Sequence, residues 1–239
     1  MKRLYLFSLL LLTFSACKRN APAEPEPEFK PRETEDWLIL TAPEEREVWG
    51  VFGNIDSTLL ITTGYKIYYT QDRGNSWQES DYKPGSGVFG ITSSADTLYA
   101  LTAQRGYALN SIAYAVNPQF QSIDGGKTWT QSFSRRAYES IAVPRNQTKT
   151  ANGLVYSIDQ ELTAVCTSCP NYYLETPGFK TPQGQKILLP QKHQLQSIYM
   201  DSQQRLYLSG SAAVCGGPGN ISFCNGHRGV IYISKKPLP

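Results

Sequence analysis

Apolar and polar positions divide this 239-residue chain into three stretches of different texture. Behind the basic pair Lys2 and Arg3, Leu4 to Phe14 is a dense apolar run that ends at Ser15, Ala16 and Cys17, the layout of a cleaved export signal. A helix that stays in a bilayer needs roughly 18 or more apolar residues, so this run does not span. Over residues 18–35 the apolar positions nearly disappear, and Pro22, Pro25, Pro27 and Pro31 are interleaved with Glu24, Glu26, Glu28, Glu33 and Glu35. Such a segment buries too little apolar surface to order itself and reads as an extended tether. Residues 36–239 return to short segments, such as Leu59 to Thr63, Lys66 to Thr70 and Arg205 to Ser209, that are β-branched or aromatic and bounded by turn residues. No window of about a dozen residues holds an apolar period of about 3.6. The body is expected to be one all-β domain almost without helix.

Within that body one local pattern recurs. Thr70-Gln71-Asp72-Arg73-Gly74-Asn75-Ser76-Trp77 and Ser122-Ile123-Asp124-Gly125-Gly126-Lys127-Thr128-Trp129 both read hydroxyl, any, Asp, any, Gly, any, hydroxyl, Trp. The pattern resembles the Asp-box, or BNR repeat, of β-propellers of the sialidase, sortilin and photosystem-assembly-factor types. An Asp carboxylate can accept backbone N–H groups inside a tight turn, Gly can take positive φ, and Trp can pack beside the hairpin. Thr70, Asp72, Gly74, Trp77, Ser122, Asp124, Gly126 and Trp129 are therefore expected to be structural. At the other end of the chain's architecture, Leu12-Thr13-Phe14-Ser15-Ala16-Cys17 resembles the lipobox of bacterial lipoproteins. That resemblance implies cleavage before Cys17 and its modification by palmitate-type acyl chains, each buried CH₂ adding about 0.8 kcal/mol of membrane affinity.

Weaker copies of the repeat emerge from spacing. An apolar strand start follows Trp77 at Val88, Trp129 at Ile141 and Trp37 at Val48, eleven or twelve residues on each time, and the same interval links Ile187 to Ile198 behind a decayed turn at Lys180 to Ile187. Second strands start near Leu59, Leu98, Leu154 and Leu206, which makes four units. Gly229 to Ser234 matches the strand that leads into the first Asp-box but reaches no tryptophan, whereas Trp37 to Leu40 begins with one and lacks a preceding partner. Pairing Trp37 to Thr41 against Arg228 to Ser234 would close a ring and remove both strand edges. The expected architecture is a small four-bladed propeller closed by an N-terminal strand, with a two-sheet sandwich or an incomplete propeller pairing with a second copy as the alternatives.

Connections between second and third strands are short in the first unit and long in the others, at Ala103 to Pro118, Gln160 to Tyr172 and Ser211 to Arg228. A propeller brings these loops to one face, where fixed sheets can hold a recognition surface. Tyr107, Tyr114, Tyr172, Tyr173, Phe223, His227 and Arg228 are the candidates for a binding face. Cys166, Cys169, Cys215 and Cys224 lie in the same loops. Outside the cytoplasm an even set of cysteines reads first as disulfides, local bridges 166 to 169 and 215 to 224 before bridges between the loops, with a Cys₄ zinc site as the alternative because Cys166-Thr167-Ser168-Cys169 has ligand spacing.

No activity follows from these residues. Sialidases place an aromatic-Arg-aliphatic-Pro motif near their N-terminus, and it has no match here. His193 and His227 are the only two histidines, and neither falls in a Ser/His/Asp or metal-binding spacing. No catalytic residue, cofactor or metal is expected. The formal charge of +3, without a basic cluster interleaved with aromatics, argues against nucleic acid. The expected role is a lipid-anchored binding or assembly module, facing the periplasm or the exterior from a membrane of the bacterial envelope, in the first place the outer membrane. It would dock an extracytoplasmic protein through the long loops. The alternative is a carbohydrate-binding or sialidase-like protein.

Overall fold

The computed structural model describes residues 30–106, 109, 111–132, 141–168, 170–217, 222–224 and 226–238. Cys17, most of the tether, Tyr107 and Cys169 lie outside them. Every regular element among the described residues is a strand. The chain opens with β1 (Arg32–Glu33) and β2 (Trp37–Thr41), which belong to its last blade. Blade one is a four-stranded antiparallel sheet of β3 (Gly50–Gly53), β4 (Leu59–Thr62), β5 (Ile67–Thr70) and β6 (Gln78–Glu79). Blade two repeats it with β7 (Gly90–Ser94), β8 (Thr97–Arg105), β9 (Tyr114–Ser122) and β10 (Thr130–Gln131). After β11 (Ala142–Pro144), blade three runs through β12 (Gln147–Lys149), β13 (Val155–Ile158), β14 (Glu161–Ala164), β15 (Tyr172–Lys180) and β16 (Lys186–His193). Blade four holds β17 (Leu195–Met200), β18 (Leu206–Gly210), the short pair β19 (Val214–Cys215) and β20 (Ser222–Phe223), and β21 (Val230–Ser234).

These four sheets form a four-bladed β-propeller. Closure uses the expected strand: β2 pairs antiparallel with β21, Trp37 opposite Ser234 and Thr41 opposite Val230. Both strands are apolar on both faces because each is sandwiched between neighbouring blades, so the usual alternation is absent and Trp37 to Leu40 and Val230 to Ile233 are all buried. Leu38, Leu40, Ile231 and Ile233 meet Val51, Leu59, Ile61 and Tyr68 of blade one, while Trp37, Ile39 and Tyr232 meet Tyr156, Ile158 and Phe179 of blade three. A third buried cluster joins Leu60, Ile67 and Tyr69 of blade one to Ile91, Ala100, Phe120 and Trp129 of blade two. Among the described residues no such cluster joins blades two and three.

Four blades leave a narrow centre. Gly50 of blade one and Gly90 of the adjacent blade two approach so closely that a Cβ on Gly50 would come 3.0 Å from the Gly90 Cα. Arg145, in the turn between β11 and β12, is buried there and touches every blade. Its guanidinium donates to Gln104 of blade two and to the Gln196 carbonyl of blade four (2.8 Å), and lies 4.9 Å from the centre of the Trp49 ring at the start of blade one.

Two expectations change in detail. The strand start placed at Ile141 is divided: β11 pairs with the far end of β9 in blade two, and the inner strand of blade three begins only at Gln147. The three long connections are paired hairpins more than open loops. Ala103 to Arg105 continue β8 opposite Tyr114 to Val116, β14 pairs with Tyr172 to Glu175, and β19 pairs with β20. Their backbone polar groups need partners once they leave the sheet, and extending the ladder supplies them.

Candidate functional site

Each blade's third strand starts at one face of the ring and ends at the other, so the hairpins and the Asp-containing turns occupy opposite faces. Thr70 Oγ1 donates to Asp72 Oδ1 (2.8 Å) and accepts from the Gly74 N–H (2.9 Å), while the Ser76 N–H and hydroxyl donate to the two Asp72 oxygens (2.9 and 2.6 Å). The second turn repeats this with Ser122, Asp124, Gly126 and Thr128, at 2.7 Å from Ser122 Oγ to Asp124 Oδ1 and 2.7 Å from Thr128 Oγ1 to Asp124 Oδ2. Burial works to raise the Asp124 carboxyl, but donation from Thr128, Ser122 and Lys127 outweighs it and holds the group at about 2. Hydrogen bonds from Ser76 likewise lower Asp72. Trp129 is buried and Trp77 half-buried, each against an inter-blade cluster. Both carboxylates take their hydrogen bonds from their own turns.

The hairpin face is different in kind. Tyr172 is 63% and Phe223 40% exposed, and Tyr65, in the short turn of blade one, is 56% exposed. Phe223 stacks edge-on with His227 at 5.3 Å. Tyr173 lines a small cleft with Glu175, Lys192 and Val214, between the hairpins of blades three and four. Tyr114 lies opposite Arg105, whose guanidinium sits 5.4 Å over its ring. Arg228 donates to the carbonyls of Ala42 and Pro43 (3.4 and 2.7 Å) and ties blade four to the strand that closes the ring. His193 is buried below this face, its Nδ1 2.9 Å from the Ser211 carbonyl and its Nε2 3.0 Å from the Tyr232 hydroxyl, and burial lowers its pKa.

Phe223 and His227 form one wall of a 460 Å³ cavity between blades four and one. The other walls are Trp49, Thr63, Gly64 and Tyr65 of blade one and the segment Glu45 to Glu47 that leads into it. The Glu47 carboxylate accepts from Gln196 Nε2 (2.8 Å), yet burial raises its pKa against the pull of that bond and of Arg145. None of Glu45, Glu47, Trp49 or Tyr65 stands out in the sequence, because a charged run before an apolar strand looks like any solvated connection. Only the short first-unit turn, which leaves the cavity uncovered, hinted at them.

No protein-family model matches the chain, and no curated protein matches it either. Cys215 and Cys224 form a disulfide with Cα atoms 5.1 Å apart, which staples the blade-four hairpin at its base. Cys166 is also disulfide-bonded. Oxidised cysteines are not available as zinc ligands, and among the described residues no three His, Cys, Asp or Glu side chains are grouped to hold a metal ion.

Proposed function

We propose that this protein is a lipid-tethered docking module of the bacterial envelope: an Asp-box propeller anchored through Cys17, whose hairpin face binds an extracytoplasmic protein. One observation carries the reading. Three of the four connections between second and third strands are built as hairpins on the same face; they carry the exposed Tyr172 and Phe223, and the blade-four hairpin walls a cavity against blade one. Exposed aromatics on a rigid frame are the anchors that protein interfaces favour. The two Asp-centred turns support the Asp-box assignment, since every residue of the repeat finds a role within the turn or its packing. The export signal ending at Cys17 and the proline-rich tether support the address, and the Cys215–Cys224 disulfide suits an oxidising compartment.

The test is a mild-detergent pull-down of the tagged, lipidated protein from its native envelope, beside a Tyr172→Ala, Tyr173→Ala, Phe223→Ala variant. The expected result is a stoichiometric protein partner that the variant loses. No partner in either sample, or equal recovery in both, would contradict docking through this face.

A further inference from the structure

Glu45 and Glu47 both line the cavity between blades four and one, and neither forms an ion pair among the described residues. Glu45 makes no hydrogen bond or ion pair among the described residues, and Glu47 has Gln196 as its hydrogen-bond donor. Of the neighbouring cations, Arg145 acts on Glu47 through its charge. Arg145 donates to Gln104 and Gln196, Arg228 to backbone carbonyls, and Lys66 pairs with Glu79 at 2.8 Å, with Glu44 at 4.0 Å. Glu44 in turn accepts from Thr63. Arg46 stands at the rim, 5.5 Å over the ring of Tyr65, and forms no ion pair with either Glu45 or Glu47. Glu45 and Glu47 thus line the cavity together with Trp49, Tyr65, Phe223 and His227.

We infer that this cavity receives a basic side chain of the docked partner, arginine in preference to lysine. The inference rests on the docking reading above and specifies what docks. At 460 Å³ the cavity falls within the roughly 300 to 1,000 Å³ of sites that enclose a small ligand, so one long side chain enters with room for its stem. A planar guanidinium stacks on aromatic rings and forks onto carboxylates, and an ammonium offers only a point charge. The Arg46 guanidinium over Tyr65 shows that this wall already accepts that geometry. Burial of Glu47 adds a second reason, because a carboxylate short of solvent gains most from an arriving cation.

The probe is the blocked tripeptide acetyl-Gly-Arg-Gly-amide, titrated into the mature protein by calorimetry beside its lysine and citrulline counterparts, citrulline being the uncharged isostere of arginine. Arginine is expected to bind about tenfold more tightly than citrulline, with lysine between them. A Glu45→Gln, Glu47→Gln variant is expected to lose about tenfold for arginine and nothing for citrulline. Arg46→Ala is expected to gain affinity for arginine, because it removes the resident cation; a merely structural Arg46 would give no gain. Unchanged thermal unfolding of the Gln variant shows that it folds, and Glu45→Gln alone, at an exposed side chain, serves if the double variant does not. Equal binding of arginine and citrulline overturns the inference. So does a double Gln variant that captures the envelope partner as well as the unaltered protein, a result that leaves the docking reading intact. Discrimination among the peptides without any captured partner overturns the docking reading instead.

Discussion

The turn of blade two and the turn of blade three close the same kind of strand pair, yet they meet their neighbours differently. In blade two, Gly126 at φ +90° lies against Leu60 of blade one, its carbonyl accepts from Ser80 Oγ (2.5 Å), and the N–H of Asp81 donates to Lys127 (2.8 Å). Gly74 in blade one presses in the same way on Leu40 of blade four. In blade three, Gly184 has a similar φ of +81°, but nothing lies within 4 Å of where its Cβ would stand, and Thr181 and Gln185 replace the Asp-centred network with bonds between themselves. The interface that this turn would face, between blades two and three, is also the one without a buried apolar cluster among the described residues. Val155 and Leu188 lie on the side of blade three away from Phe179 and its cluster, and Leu188 is 66% exposed. Among the described residues, the full Asp-centred turn is present where it packs on a neighbouring blade and is absent at Gly184, where nothing meets it.

The largest effect that tests this contrast is Gly126→Ala. A Cβ would come 2.2 Å from Leu60 Cδ2 in a backbone region that disfavours L-residues, so a loss of about 2 to 4 kcal/mol is expected. At about 2 to 4 °C per kcal/mol for a domain of this size, calorimetry should record a fall in Tm of roughly 4 to 16 °C. Asp124→Ala removes the acceptor for Ser122, Lys127 and Thr128 and should cost about 1 to 2 kcal/mol, as loss of a helix cap does. Gly184→Ala meets only the backbone term, about 1 kcal/mol. Equal losses for Gly126→Ala and Gly184→Ala would break the comparison.

Acid sharpens it further. The folded pKa of Asp124 is about 2 against an ordinary 3.8, so its contribution is complete above 3.8 and disappears as the pH falls towards 2. The Asp124→Ala variant should show a flatter acid limb than the unaltered protein in unfolding followed from pH 4 to pH 2. His193 acts in a separate window. Its folded pKa is lowered by burial, so the unfolded chain takes up the proton first, and stability falls on acidification below about 6.5, the ordinary imidazole value. That slope should persist in Asp124→Ala.

Much of the ring was legible because its signals are local. The two Asp-centred turns announce themselves in eight residues each, and the unpaired tryptophan at Trp37 together with the incomplete last repeat pointed to the pairing of β2 with β21. The exit of β11 to blade two was not legible, since Ala142 to Pro144 and Gln147 to Lys149 read as one segment until Arg145 is seen to turn inward between them. The hairpins were read as loops because Tyr172 to Glu175 pairs with Glu161 to Ala164 across a gap whose composition is that of a turn. The cavity was hidden for a further reason. Its walls come from Glu45 to Glu47, Trp49, Thr63 to Tyr65, Ser211, Phe223 and His227, which meet only because the ring closes.

Docking of a protein on the hairpin face can be read out in the cell by photocrosslinking. A benzophenone side chain placed at Tyr172 or Phe223 is compared with one at Ile123, which is 81% exposed on the opposite face. Docking predicts one discrete protein adduct shared by positions 172 and 223 and missing from position 123. No adduct at 172 and 223, or the same adduct at 123, would contradict it.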